Sequence, residues 1–116
     1  MKKKVTCEIE VTLSVLNGKW KPLILYYLIS DGTKRFSQVK RHIHGISHKT
    51  LTVQLRQLEE DKLIERKVYM TVPPQVEYTT TKRGESLYNI LEAMCDWGYK
   101  NKGDEYELIN PQCTGE

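Results

Sequence analysis

Residues 35–81 read RFSQVKRHIHGISHKTLTVQLRQLEEDKLIERKVYMTVPPQVEYTTT, and this stretch decides the fold. Ser37 is a suitable N-cap for a short helix with the sequence SQVKRHI. Gly45 then predicts a turn, because glycine accepts backbone conformations that other residues avoid. Ser47 predicts the cap of a second and longer helix. A short helix, a glycine turn and a longer helix therefore follow one another without a gap.

The longer helix has one apolar face, because Leu51, Leu55 and Leu58 recur at i, i+4 and i+7. Two segments rich in Val, Tyr and Thr follow, near Ile64–Met70 and Gln75–Thr80, and they predict a hairpin. The prolines of the intervening VPPQ stiffen its tip. We therefore predict an α+β, mainly helical winged helix-turn-helix with a two- or three-stranded antiparallel wing. That architecture lays one helix in the major groove of DNA.

Further helices are expected on both sides of this stretch. The apolar segment 21–30 predicts a helix with Pro22 in its first turn, ended by Asp31-Gly32. Segment 8–16 fits a helical stripe and a strand alternation equally well, so periodicity leaves it open. A last helix from about Thr81 to Lys100 has a broad apolar stripe, made of Leu87, Ile90, Leu91, Met94 and Trp97.

The length of 116 residues suits one domain, which we place at 1–100, followed by a flexible tail at 101–116. A net charge of +3 permits a nucleic-acid partner without requiring one. No apolar run approaches the length of a membrane span, and no apolar segment follows the lysines at 2–4 as in a signal peptide. Three cysteines in no paired spacing argue against a disulfide scaffold and for a reducing cytoplasm.

The side of the longer helix opposite its leucines carries positive and short side chains: Lys49, Thr52, Val53 and Arg56. Arg and Lys donate to guanine or phosphate, while Thr and Val contact the thymine methyl group. Ser47 and His48 lie at the helix N-terminus, where backbone N–H groups suit a phosphate. The alternative is that Lys49 and Arg56 are merely solvated residues, but the order of the surrounding elements favours DNA contact.

Acidic residues end this helix, although the helix dipole disfavours anions there: Glu59, Glu60 and Asp61. Either Glu60 pairs with Arg56 and holds it away from bases, or the acidic end points away from DNA. The sequence leaves both interpretations open.

The wing offers Arg66, Lys67 and Gln75 as candidates for contacts to the DNA backbone or minor groove. Arg35 either reaches a phosphate or forms a structural ion pair with a nearby acid.

Motifs spread over roughly residues 7–100 carry a resemblance to a known family: Cys7, Gly18-Lys19-Trp20, Arg35-Phe36-Ser37, Gly45-Ile46-Ser47, Leu51-Thr52, Leu55-Arg56-Gln57-Leu58-Glu59, Val72-Pro73-Pro74-Gln75-Val76-Glu77-Tyr78 and Trp97-Gly98. In these motifs the chain resembles the HxlR-type winged-helix transcriptional regulators of bacteria, within the MarR-like superfamily. The resemblance implies a helix at 8–16 and a DNA-binding regulator, more often a repressor.

The resemblance also implies a homodimer whose first and last helices interleave. The interface residues expected on this basis are Ile9, Leu13, Leu87, Leu91, Met94 and Trp97, although part of the last stripe belongs to each subunit's own core. Such a dimer would set two recognition helices about one DNA turn, ~34 Å, apart on a roughly palindromic operator.

Some members of the family sense oxidants or electrophiles through an N-terminal cysteine, which aligns with Cys7. The upstream lysines and the helix start after it favour the reactive thiolate, whereas Glu8 opposes that charge. The family usually has proline where this chain has Glu8, so redox sensing and an unreactive thiol both stay open. Cys95 is expected in the core or the interface, and Cys113 exposed in the tail.

Other functions find little support. His42, His44 and His48 surround the turn, but no cysteine or carboxylate completes a metal-ligand spacing, so we expect no metal site. No catalytic motif or cofactor motif is present, so we expect neither an enzyme nor a cofactor. The main alternative to a DNA-binding regulator is a winged-helix module that binds another protein and not DNA. The sequence does not identify a small-molecule or oxidant effector.

Overall fold

The computed structural model describes residues 2–111. The elements are α1 (Glu8–Leu16), α2 (Trp20–Asp31), β1 (Lys34–Arg35), α3 (Phe36–His42), α4 (His48–Glu60), β2 (Ile64–Tyr69), β3 (Gln75–Thr80), α5 (Lys82–Glu85) and α6 (Tyr88–Asn101). This order confirms the winged helix-turn-helix. It also makes the first segment a helix, which periodicity alone left open. None of the described helices is long and apolar enough to cross a membrane.

One core forms where α2 and α4 meet the strands. On α4, the predicted apolar face is confirmed, since Leu51, Leu55 and Leu58 are all buried. Burying a leucine side chain contributes about 1.5–3 kcal/mol, so this face accounts for much of the attachment of α4. The other elements supply apolar side chains to the same cluster: Ile24, Leu25 and Leu28 from α2, Val39 from α3, Ile64 from β2, and Leu87 and Leu91 from the C-terminal part.

The sheet has three antiparallel strands in the order β1-β3-β2. Tyr78 of β3 lies opposite Arg66 of β2, and Glu77 lies between Arg35 of β1 and Lys67 of β2. Residues directly opposite each other share a face of the sheet, and successive residues alternate between faces. Because Tyr78 is buried, Arg66 lies on the core side of the wing. Arg35, Lys67 and Glu77 lie on the other side.

The cap of α3 differs from the prediction. Arg35 and not Ser37 precedes the helix, and its backbone N–H donates to Oε1 of Gln38 at 2.9 Å. Ser37 therefore lies inside the first turn. The glycine turn after α3 is confirmed, because Gly45 has a φ of +83°, which favours glycine.

The predicted last helix is two helices. Leu87 donates its backbone N–H to the carbonyl oxygen of Gly84 at 3.1 Å, an i→i−3 bond. Leu91 donates to Leu87 at 3.0 Å, an ordinary helical i→i−4 bond. The tight turn at Leu87 separates α5 from α6, and Leu87 itself is buried in the core.

Gly84 is required by a close approach of two backbones. An added Cβ at this position would lie 2.1 Å from the carbonyl oxygen of Leu63. Thr81 holds the two segments together, since its N–H donates to Leu63 at 3.1 Å and its hydroxyl donates to the carbonyl oxygen of Lys62 at 2.6 Å. The junction of β3 and α5 is thereby fixed to the start of β2.

Cys95 departs from the prediction made from the sequence. Cys95 is disulfide-bonded, whereas we expected a thiol packed in the core or interface. Three cysteines without paired spacing do not reveal a pairing from sequence.

Residues 102–111 form neither helix nor strand, but Asn110 donates to the carbonyl oxygen of His42 at 2.8 Å. This bond ties the segment to the end of α3. Cys113 and the rest of the predicted tail lie outside the described residues.

Replacement of Gly84 by alanine should lower the free energy of unfolding by about 1–3 kcal/mol, because the new Cβ forces apart backbone segments that have no flexible side chain to move. The matched control is Gly98→Ala in α6, where an added Cβ meets nothing within 4 Å. That control should be neutral or stabilising by up to about 1 kcal/mol. Urea unfolding followed by circular dichroism measures both, and equal stabilities of the two variants would contradict the close approach.

Candidate nucleic-acid interface

The start of α4 is fixed by Ser47, as predicted. Its hydroxyl oxygen accepts the backbone N–H of Thr50 at 3.1 Å, and its carbonyl oxygen accepts that of Leu51 at 3.0 Å. The hydroxyl is therefore engaged in the cap. An anion at this end would instead meet the backbone N–H groups of His48 and Lys49, which have no carbonyl partner within the helix.

The outward side of α4 is accessible. Lys49, Val53 and Arg56 are exposed. Thr52 is half-buried, and its hydroxyl donates to the carbonyl oxygen of His48 at 2.9 Å. The methyl group of Thr52 is thus the part left for an apolar contact. The spacing of the leucines therefore predicted correctly which side of α4 faces solvent.

No acid holds the cations of this surface. Among residues 2–111 the only salt bridge joins Lys100 to Asp96 at 3.0 Å. Glu60 therefore does not pair with Arg56, and the interpretation in which it withholds that arginine is wrong for this structure. Arg35 likewise forms no ion pair with a described acid, so its guanidinium stays available.

A groove of about 460 Å³ separates α4 from the wing. Arg56 from the helix and Arg66 from β2 both line it, together with His48 and Thr52. The ring of His48 lies against Phe36, with centroids 4.6 Å apart. Glu59 also lines the groove, so one acid of the helix end lies on the same side as these cations.

The predicted wing residues divide between the two faces of the sheet. Arg66 faces α4, whereas Lys67 and Gln75 lie on the other face with Arg35. Sequence reasoning missed Glu77, which lies between Arg35 and Lys67. It could not have been found from composition, because the pairing register decides which side chains become neighbours.

The expected dimer-interface residues also divide into two groups. Ile9 and Trp97 are 67% and 68% exposed, and Leu13 and Met94 are exposed with them. Leu87 and Leu91 are only 8% and 3% exposed and belong to the chain's own core. Leu87 and Leu91 therefore have little exposed surface left for contact with a second subunit.

A carboxylate joins α6 to α2. Glu92 Oε2 accepts the hydroxyl of Tyr26 at 3.2 Å and that of Tyr88 at 2.8 Å. The two rings stack with centroids 5.9 Å apart. The hydrogen bond to Glu92, followed by desolvation, raises the pKa of Tyr88 to about 12. Burial and then Glu92 raise the pKa of Tyr26. Both phenols therefore stay protonated as donors at neutral pH.

Cys7 is an exposed free thiol at the N-cap position of α1. Its carbonyl oxygen accepts the backbone N–H of Glu10 at 3.0 Å. The positive end of the helix dipole lies at this position, and the first turn of α1 carries the acidic residues Glu8 and Glu10.

The histidines around the turn have separate surroundings. His42 stacks on Tyr27 with centroids 3.7 Å apart, whereas His48 contacts Phe36. Among the described residues, no group of three or more His, Cys, Asp or Glu side chains is placed to hold a metal ion.

Known proteins resemble the chain over most of its length. Residues 15–106 match the model of a family described as HxlR-like helix-turn-helix. The uncharacterized HTH-type transcriptional regulator YkvN of Bacillus subtilis is 46% identical over 115 residues, covering 95% of this chain and 97% of YkvN. The structure of the redox regulator HypR in its oxidized form is 45% identical, with a TM-score of 0.76, covering 82% of this chain and 97% of HypR. The reduced form of the transcriptional regulator YodB from B. subtilis is 31% identical, with a TM-score of 0.71, covering 89% of this chain and 100% of YodB.

Proposed function

The chain belongs to the HxlR-like helix-turn-helix family, and on that premise we propose that it is a DNA-binding transcriptional repressor that binds a palindromic operator as a homodimer. The observation that carries the proposal is the outward face of α4. Lys49, Val53 and Arg56 are exposed there, and no described acid forms a salt bridge with either cation. A protein of this kind acts where the chromosome lies, so we place it in the cytoplasm.

α4 supplies the base contacts in this proposal. Arg56 donates to guanine, and Val53 and the methyl group of Thr52 contact thymine methyl groups. Phosphates meet Lys49, His48 and the first-turn N–H groups of α4, the helix that Ser47 caps. Arg66 approaches the DNA from the other wall of the groove that it shares with Arg56.

The far face of the wing supplies backbone contacts. Lys67 and Arg35 lie on it and bind phosphates, and Gln75 near the tip contacts the backbone or the minor groove. Phosphate contacts position a protein on DNA but carry no base information, so specificity rests on α4.

A second copy of the chain covers the exposed apolar side chains of α1 and α6. Ile9, Leu13, Met94 and Trp97 are large apolar residues that the chain's own core leaves exposed. Burying apolar surface contributes roughly 25 cal/mol per Å². A twofold dimer would present two α4 helices ~34 Å apart, which requires a pseudo-palindromic site.

Cys7 is the oxidant sensor in this proposal. HypR, a structural neighbour, is described as a redox regulator, and Cys7 is an exposed thiol at a helix N-terminus. An oxidant of the peroxide class would convert its thiolate to a sulfenic acid while being reduced itself.

The alternative is a winged-helix module that binds another protein and not DNA. The exposed apolar residues would suit such a partner as well as a second copy. The unpaired cations of α4 favour DNA, and a salt titration on duplex DNA separates the two functions.

Replacement of Arg56 by alanine should weaken binding to a selected operator by about 1–3 kcal/mol and relax the base preference at one position. The operator is first selected from a randomised duplex pool, and affinity is measured by fluorescence anisotropy at several salt concentrations. Lys100→Ala, which removes a cation already paired with Asp96, is the matched control and should keep wild-type affinity. Equal affinities of all three proteins would remove Arg56 from the interface, and a flat salt dependence of the wild type would favour the alternative function.

Replacement of Leu13 by glutamate should convert the dimer to a monomer, because two carboxylates would be buried without partners. Sedimentation equilibrium measures the mass. Val72→Glu, at the fully exposed tip of the wing, should leave the dimer intact. A wild-type protein that sediments as a monomer at micromolar concentration would contradict the dimer.

Replacement of Cys7 by serine should abolish any change of DNA affinity caused by hydrogen peroxide, while affinity without oxidant stays at the wild-type value. Anisotropy before and after treatment measures this. Unchanged oxidant sensitivity in the variant would assign sensing to another group.

A further inference from the structure

Glu77 lies in the middle of a row of three charged residues across the wing. The register sets Arg35 of β1 on one side of it and Lys67 of β2 on the other. Directly opposite residues in an antiparallel pair have Cβ atoms about 4.5–5.5 Å apart and share a face. One carboxylate therefore lies between two cations on the side of the sheet away from α4.

The row does not close into salt bridges. Across the described part of the chain, the 4 Å criterion for nitrogen and oxygen is met only by Lys100 and Asp96. Arg35 and Lys67 are exposed, whereas Glu77 is half-buried on the central strand. Both cations thus keep free ends that can meet phosphates, while the negative charge below them reduces the positive potential of the face.

Tyr69 gives the carboxylate a further partner. It lies on the same face of β2, two residues after Lys67, and hydrogen bonding to Glu77 followed by the negative charge of Glu77 raises the pKa of Tyr69. A phenol donor uses part of the carboxylate's hydrogen-bonding capacity.

We propose that Glu77 is a positioning residue that weakens the binding of the wing to random DNA, so that tight binding depends on the base contacts of α4. The inference rests on the proposed DNA-binding function. Without Glu77, the far face of the wing would carry two uncompensated cations and attract any duplex. With Glu77, the same face still contacts phosphates, but its sequence-independent contribution is smaller, and the ratio of specific to random affinity is larger.

Glu77→Gln removes the charge and keeps the size of the side chain. It should strengthen binding to a random 20-base-pair duplex by roughly twofold to fivefold in low salt, the size expected of one surface charge interaction. The difference from wild type should shrink as salt is raised, because the charges involved are exposed. The ratio of operator affinity to random-duplex affinity should fall.

Glu65→Gln is the matched control. Glu65 lies on the same face of the sheet, but its cross-strand neighbour is Thr79 and not a cation. Glu65→Gln changes the net charge by the same amount as Glu77→Gln. A smaller effect of Glu65→Gln on random-duplex affinity would show that the position of the charge matters and not only the net charge. The triple variant Arg35→Gln, Lys67→Gln, Glu77→Gln should bind the random duplex no better than the Arg35→Gln, Lys67→Gln double variant.

Equal effects of Glu77→Gln and Glu65→Gln would overturn the proposal, as would unchanged or weaker random-duplex binding by a folded Glu77→Gln protein. A purely structural role would lower the melting temperature without raising that affinity. If Glu77→Gln does not fold, Glu77→Thr, a residue suited to strands, tests the same loss of charge. Absence of salt-dependent DNA binding by the wild type would reject the proposed function itself, a result distinct from wild-type binding that Glu77 does not affect.

Discussion

The burial of one face of α4 is the constraint on which the other features depend. Leu51, Leu55 and Leu58 are buried, and the Ser47 cap fixes where the helix begins. A helix held at its start and along one side has a single rotational setting. That setting decides which side chains meet solvent, so Lys49 and Arg56 are presented outward as a consequence of core packing.

Periodicity and caps predicted the parts of the fold that depend on local rules. The helix after Ser47, the turn at Gly45 and the two wing strands follow from spacing and residue type alone. Three features did not follow. The close approach of Gly84 to Leu63 joins segments that are far apart in the sequence. The cap of α3 uses a glutamine side chain that reaches back, and the disulfide at Cys95 depends on a pairing that spacing does not encode.

The candidate site shows the same division. The exposure of Lys49, Val53 and Arg56 could be predicted, because the side of a helix opposite its buried face meets solvent. The division of the wing cations between two faces could not, because it depends on which residue of β3 lies opposite which residue of β2. A shift of one residue in that register would exchange Arg66 and Lys67 between the faces. Glu77 lies beside both cations only because of that pairing.

The two phenols that meet at Glu92 have a mechanical consequence. They join α6 to α2 through a shared carboxylate and a stacked pair of rings, and α2 in turn packs against α4. A tilt of α6 would therefore move α2 and α4 with it as one rigid unit. In a dimer joined through α6, a small change in the tilt of α6 would change the distance between the two α4 helices. The number of base pairs between the half-sites that such a dimer prefers would therefore report the angle between its subunits.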